Sequence, residues 1–418
     1  MANDTVSSLG AAFKVVQRDH MGDDVPKAAG PLAERVRKSA KKIMVGGKDL
    51  NATWSHKKYP GVGQGGLSEG GDFPTPLASA WASPALGLAH AAFAIGVTGH
   101  ALAMGSGPEV SFMRRKLLTE KTEELRDKAG AYMGRFMVND GTTNFAQING
   151  SVSSHTFAID AGSIWMFRDG EVIGSYATSN GTTDKFTDGT IVKVDYQNSQ
   201  ITVTDAGTAS DNDYLAIKGF RGFTVPNGIR NLFGSATGTV QGINRATAGN
   251  QFAIPNVLSL SGAMTPSMAD QIRDLVKAVG GQREDSYNSV FASNLTVRQW
   301  ATLATIGQNR FTDLGNLQIG NAGMKVADVN GKKDLLEDPY LRDGEIFVID
   351  PTKCVLAYPQ GMEGGYFVEN PSGDIFFQQT AASGAGYADA QLAYYIVRYN
   401  LGADSFRCQG YGSGFVSP

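Results

Sequence analysis

Leu118, Thr122, Leu125, Ala129, Tyr132 and Phe136 recur at three- and four-residue steps and form one mostly apolar stripe, the spacing of a single helix face. Arg114, Arg115, Lys116, Glu120, Lys121, Glu123, Glu124, Arg126, Asp127 and Lys128 crowd the remaining surface. Ser106 and Glu109 bracket Gly107-Pro108 as a capping box, with proline in the first turn where its missing N–H costs nothing. The pattern predicts a helix over 105–138 with one narrow packed face, the rest wet or turned to partners. About 30 residues at ~1.5 Å each give a rod of roughly 45 Å, long for a globular domain.

Elsewhere the period is two. Residues 85–104 carry no charge and are long enough to span a bilayer. Leu86, Leu88, His90 and Ala92 alternate there with Gly87, Ala89, Ala91 and Phe93, so the expectation is a strand ending near Thr98-Gly99 and not a membrane helix. Residues 146–217 read as all β, a small barrel or sandwich able to fold as an insertion. Ser163–Phe167, Asp169-Gly170 and Glu171–Ile173 predict a hairpin, with further turns at Asn180-Gly181 and Asp188-Gly189. Thr190–Val194 and Gln200–Thr204, joined by 195–199, predict a second strand pair. Beyond them Thr265 caps a helix expected from Pro266 to Gly280-Gly281. Strands are expected at Tyr287–Ala292 and Glu345–Ile349, and a helix from Leu295 to Thr305. Ala390–Arg398 alternates like a strand that rejoins an earlier sheet.

The N-terminal part is patterned weakly. Residues 1–50 read as a polar arm with one short helix near 32–44. Residues 51–84 hold Gly61, Gly63, Gly65, Gly66, Gly70 and Gly71 with Pro60, Pro74 and Pro76, too little apolar surface for a core and too long for an ordinary connection. Between Trp54 and the 85–104 strand they predict a long two-stranded arm with a flexible tip.

At 418 residues the chain exceeds the ~250–300 at which a single core stops growing, so two or three domains are expected. A formal net charge of −3 and an isoelectric point near 6.0 give no whole-chain nucleic-acid footprint. Basic character is local: Arg35, Arg37, Lys38, Lys41 and Lys42 cluster before Gly46-Gly47. That cluster reads first as a solvated helix face, and second as a contact to an acidic partner or to packaged nucleic acid. The two cysteines, Cys354 and Cys408, build neither a disulfide framework nor a zinc spacing. Synthesis in a reducing cytoplasm fits, and the N-terminus lacks the basic-then-apolar pattern of a secretory signal.

Two catalytic motifs match by letter only. Gly61-Val-Gly-Gln-Gly-Gly66 has the dinucleotide-binding form but follows no apolar strand, opens no helix and has no acidic residue about 20 positions on. Gly66-Leu-Ser-Glu-Gly70 has the hydrolase-elbow form, with no strand before Ser68. His20, His56, His90, His100 and His155 show no metal-ligand spacing.

The order of these parts resembles the major capsid proteins of tailed bacteriophages, the Hong Kong 97-like fold. The resemblance rests on Ala94-Ile-Gly-Val-Thr98 leaving the extended loop before the long helix, on Gly219-Phe-Arg-Gly-Phe223 with Gly228-Ile229, and on Thr239–Arg245. Asp338-Pro339 followed by Gly344–Pro351 completes it. It implies an α+β fold with an N-terminal arm (1–50), an extended loop (51–104) and a peripheral domain with a spine helix (105–145). An inserted β-module (146–217), a peripheral return (218–260), an axial domain (261–388) and a C-terminal peripheral strand (389–418) would follow.

The function implied is a structural subunit, without enzymatic activity, cofactor or metal, that self-assembles in the host cytoplasm into the icosahedral shell of a virion. Its partners would be other copies in pentamers and hexamers, then scaffolding, portal and decoration proteins, and packaged double-stranded DNA through non-specific contact, with no membrane. Trp54, Lys57, Lys58, Tyr59 and Phe73 of the loop, with Arg114, Arg115, Glu120, Glu124 and Lys128 of the helix, are the expected intersubunit contacts. Arg35, Arg37, Lys38, Lys41 and Lys42 would face the lumen. Some relatives join a loop lysine to a neighbour's asparagine, and Lys57 and Lys58 lie in the corresponding region. Competing readings are an encapsulin-like nanocompartment, a β-rich decoration or adhesin protein with 146–217 as its binding module, and a hydrolase using Ser68.

Overall fold

The computed structural model describes residues 25, 27–45, 51–59, 80–98, 108–160, 162–178, 184–220, 223–262, 265, 271, 274, 289–299, 324–328, 331–359, 365–369, 376–380 and 387–415. The architecture is α+β, with strands outnumbering helices among these residues.

An N-terminal helix, Pro31–Ser39, leads into strand β1, Lys41–Val45. Strands β2 (Asn51–Thr53) and β3 (His56–Tyr59) run out along an arm, and β4 (Ala80–Ala82) and β5 (Ala85–Gly87) return along it, with β2 on β5 and β3 on β4 antiparallel. This is the expected two-stranded arm, and its tip lies outside the described residues. Strand β6, Ala89–Thr98, takes the place of the suspected membrane segment. Ala89, Ala91 and Ile95 are buried on one face and His90, Ala92, Ala94 and Gly96 are exposed on the other, the alternation of a half-buried strand.

The long helix spans Pro108–Val138, 31 residues, and the expected cap at Ser106 lies outside the described residues. From Glu120 to Lys128 its packing follows the sequence pattern, with Thr122 and Leu125 buried and Glu123, Glu124, Asp127 and Lys128 exposed. The side chain of Leu118, at the head of the stripe, is outside the described set. Beyond Ala129 the expectation of one narrow packed face fails, because every residue from Ala129 to Asn139 is buried. Gly130 and Gly134 explain the difference. A methyl group at Gly130 would overlap Ala28, and one at Gly134 would overlap the carbonyl of Ala29 and the ring of Tyr340. Each glycine costs the helix about 1 kcal/mol relative to alanine, and together they admit the N-terminal segment to a face that a side chain would close.

Strand β7 (Asn144–Gln147) opens the β-module, followed by β8 (Thr156–Ala158), β9 (Val172–Tyr176), β10 (Asp184–Asp195), β11 (Gln200–Val203) and β12 (Tyr214–Ile217). They form one antiparallel sheet in the order β7-β12-β9-β10-β11-β8. The expected pair at 190–204 is present, with Ile191 opposite Val203 and Val194 opposite Ile201. The expected hairpin at 163–173 is not. Ile164–Met166 is a 3₁₀ turn that buries Ile164, Met166 and Phe167 together, which an alternating strand cannot do. Asp188-Gly189 makes no turn either; it lies inside β10, at an irregularity in the pairing with β9. The core of the module is continuous with that of the body.

A short helix, Ile229–Phe233, follows the module, and then a two-stranded ribbon of β13 (Thr239–Val240) and β14 (Ile243–Asn244). Strands β15 (Asn256–Gly262), β16 (Ser289–Ala292), β17 (Met324–Asp328), β18 (Gly331–Glu337), β19 (Glu345–Ile349) and β24 (Gly410–Phe415) make a mixed sheet in the order β15-β24-β19-β16-β18-β17. Strand β19 coincides with its sequence expectation and is buried throughout. The helix expected from Pro266 falls almost wholly outside the described residues, and of the one expected from Leu295 residues 294–299 are helical. In the remaining sheet β20 (Cys354–Pro359), β21 (Tyr366–Phe367) and β22 (Phe376–Thr380) each pair with β23 (Tyr387–Ala403). Strand β23 also rejoins β6 over ten pairs, from Ala390 opposite Thr98 to Tyr399 opposite Ala89.

The helix expected near 32–44 is shorter than the sequence suggested. It ends at Ser39, and Lys41–Val45 adds instead as a parallel strand to β20, since Ile43 and Val45 are β-branched and a sheet edge is available to them.

The segment Asp338–Glu345 binds the parts together. Asp338 Oδ2 accepts the Leu32 N–H at 3.1 Å, Tyr340 Oη accepts from Arg168 Nη2 of the β-module at 2.9 Å, and the Tyr340 ring lies on Gly134. Arg342 Nη2 donates to the Phe145 carbonyl at 3.2 Å. Glu345 receives Arg230 through two bonds of 3.0 and 2.6 Å and the Tyr411 hydroxyl at 2.9 Å. Burial alone would raise the Glu345 carboxyl, but the charge and hydrogen bonds of Arg230 outweigh it and hold it below its ordinary value.

Two expectations follow. Gly134→Ala should lower stability by about 1–3 kcal/mol despite its better helix propensity, read as a lower Tm beside an unaffected Lys128→Ala control. Glu345→Ala leaves Arg230 buried without its anion and should cost about 3–5 kcal/mol, measured by denaturant unfolding. Because the Glu345 carboxyl is lowered on folding, its contribution is present above the ordinary carboxyl range and fades as pH falls through the lowered value. The stability gap between wild type and variant should narrow in acid.

Candidate assembly interface

The arm is rooted by apolar packing. Ala52 and Trp54 on the outgoing side and Leu86 on the return enclose a small core with Val45, Val355 and Ala357. At the same level Asn400 of β23 donates from Nδ2 to the Gly87 carbonyl, and its Oδ1 accepts the Asn227 N–H at 2.7 Å. Hydrogen bonds and a buried ring together fix the angle at which the arm leaves the body. Farther out, β3 and β4 carry Trp81, which is 57% exposed.

Trp54 is therefore placed differently from the expectation. It is 8% exposed, a residue of the arm's own root and not a contact for a neighbour, because the mixed packing of β1, β2, β5 and β20 closes over it. Lys57, Lys58 and Tyr59 lie on β3, beyond the root, with their side chains outside the described set. Phe73 lies outside the described residues. Arg114 and Arg115 belong to the first half of the long helix, and their side chains are likewise outside the set.

Glu120, Glu124 and Lys128 are exposed along the helix. Lys121 Nζ reaches Glu124 Oε2 at 2.8 Å. That bond, with the charges of Lys121 and Lys128, holds the Glu124 carboxyl below its usual range. Beside this face an open groove of about 750 Å³ runs between β6, the long helix and residues 218–223. Phe93, Leu125, Phe220 and Phe223 supply its apolar lining, and Lys128 and Arg398 its charge. Phe223 is 66% exposed.

The basic cluster is divided. Arg35 and Arg37 are half-buried and Lys38 is exposed on the N-terminal helix, where Lys38 pairs with Glu34 at 2.6 Å. Lys41 and Lys42 are exposed on β1. One helical face of five cations does not form, because the chain changes from helix to strand between Ser39 and Lys41. Among the described residues no group of three or more His, Cys, Asp or Glu side chains could hold a metal ion, and no helix is long and apolar enough to cross a membrane. Both letter-matched motifs, Gly61–Gly66 and Gly66–Gly70, lie outside the described residues.

Three residues that the sequence reading passed over turn out to matter. Gly130 and Gly134 form a Gly-x-x-x-Gly pair inside a helix, a visible signal for close approach. Asn400 carried no local signal, since its partners are 173 and 313 positions away.

Neither a family model nor a curated protein matches the sequence. Among solved structures the chain is similar to the capsid of a native GTA particle, at 11% identity over 93% of this chain and 91% of that one, with a TM-score of 0.47. It is also similar to a chain of the cyanophage A-1(L) capsid, at 12% identity over 90% of each chain with a TM-score of 0.44. A third is the satellite phage P4 procapsid including its size determination protein, at 10% identity over 100% of this chain and 98% of that one, with a TM-score of 0.40.

The packing of the arm root yields an expectation. Trp54→Ala removes the ring that Val45, Leu86 and Val355 enclose and should cost about 3–5 kcal/mol locally. Hydrogen exchange at Asn51–Thr53 and Ala85–Gly87 should accelerate by at least tenfold while Glu345–Ile349 stays protected.

Proposed function

We propose that this chain is a shell subunit, the major capsid protein of a tailed double-stranded DNA bacteriophage. The observation that carries the reading is the arm: two antiparallel ribbons rooted by Trp54 and Asn400 leave a body whose other parts are locked together. A compact protein gains nothing from such a projection, whereas a curved lattice needs each subunit to bury surface on several neighbours. The exposed Trp81 is the kind of aromatic anchor that interfaces favour.

The exposed charges of the long helix suit the same role. Alternating acids and lysines in water add little affinity per pair, but they set register between repeated subunits and reject wrong ones. In this reading the subunits assemble in the bacterial cytoplasm into pentamers and hexamers, with scaffolding, portal and decoration proteins as further partners. Lys41 and Lys42 on β1, with Lys38, are the cations offered for non-specific contact with packaged DNA. Lys57, Lys58, Tyr59, Phe73, Arg114, Arg115, Glu120, Glu124 and Lys128 remain the proposed intersubunit contacts. Trp54 leaves that group.

Electron microscopy of the expressed protein, alone and with the products of neighbouring reading frames, tests the proposal. Closed shells, or pentamers and hexamers, are expected. A persistent monomer or small oligomer even with those partners would sink it.

A further inference from the structure

We propose that residues 27–45 form a detachable strap, which the body holds through the Asp338 carboxyl and which protonation of that carboxyl fastens. The strap comprises the N-terminal helix and β1, and three contacts hold it. Ala28 and Ala29 sit in the notch at Gly130 and Gly134. Strand β1 lies at the end of its sheet, paired in parallel with β20 alone among the described strands. The third contact is polar. Gly30, the residue before the helix, has φ +105° and ψ 169°, and no side chain of the strap caps the first turn. Asp338, about 300 positions later in the chain, supplies the cap by accepting the Leu32 N–H at 3.1 Å, and its other oxygen accepts the Tyr340 N–H at 3.0 Å. A side chain at Gly30 would press on Asp338 Oδ2 at 3.0 Å, so the cap and the glycine need each other.

What this carboxylate lacks is a cation. On its own strand the adjacent charge is Glu337, which opposes ionisation. On the strap, Glu34 is engaged by Lys38. On the long helix, Arg135 pairs with Glu171 of the β-module at 2.8 Å, and Arg168 of the same module is spent on the Tyr340 hydroxyl. Burial therefore dominates and, against the two N–H donors, pushes Asp338 up to about 6. A carboxyl that binds its proton more tightly when the strap is docked than when it is in water favours docking in acid. That advantage is complete below about pH 4, the range of a free aspartate, and is lost as pH rises through about 6. Near neutral pH the strap is the element most ready to change position while the rest of the body stays fixed. On the shell reading this is where one subunit could differ from the next. The chemistry itself requires no shell, and an unassembled chain tests it.

Hydrogen exchange of the full unassembled chain, normalised to intrinsic rates, should show protection at Leu32–Ser39 falling about tenfold from pH 5 to pH 7.5, with Glu345–Ile349 unchanged. Asp338→Asn, which carries no titrating group, should remove that dependence. Equal normalised protection of Leu32–Ser39 at the two pH values in the wild-type chain would overturn the proposal, as would an unchanged pH dependence in Asp338→Asn. Should that variant not fold, the wild-type comparison still decides.

Discussion

The body of this protein depends on one short stretch, Asp338 to Glu345, that touches every other part of it. Asp338 caps the N-terminal helix, Tyr340 fills the glycine notch of the long helix and meets the β-module, Arg342 reaches β7, and Glu345 holds Arg230. These contacts are polar and buried, a combination that is costly when incomplete and specific when complete. A network of this kind does not tolerate parts drifting independently. The β-module, which reads in the sequence as a free-standing insertion, is accordingly tied to the body by Arg168 and by the ion pair of Arg135 with Glu171.

Period-two and period-3.6 patterns were legible where one element meets one neighbour. The long helix, the arm, β6, β19 and the return of β23 to an earlier sheet were all visible in the order of apolar residues. What the patterns missed was decided by third parties. Ile164–Met166 reads as a strand but becomes a 3₁₀ turn, because three successive apolar side chains found burial on the same side. Lys41–Val45 reads as the end of a helix but becomes a strand, because β20 offered it an edge. The helix beyond Ala129 reads as amphipathic, yet it is enclosed on all sides, and only its two glycines hinted at this.

The candidate interface was legible in kind more than in residue. An arm with glycines and prolines, followed by a charged rod, points to assembly whichever side chains meet. Trp54 shows the limit: an aromatic residue at the base of an arm has the same local signature whether it faces a neighbour or its own root, and only the positions of Val355 and Ala357, some 300 residues away, decide. The basic cluster shows the same limit in electrostatic form, since five cations in eight residues make one patch or two according to where the helix stops.

The pairing of β6 with β23 has a mechanical consequence. The arm continues directly into β6, which is bonded to β23 by ten consecutive pairs lying across its length. A pull along the arm meets those pairs side by side, in shear, so they must give way together instead of opening one after another like a zip. Tension delivered to the tip would pass along β23 to Asn400 and into β20. A protein joined in this way bears load through its sheet, as a riveted plate does, and the arm is the handle by which such a load would arrive.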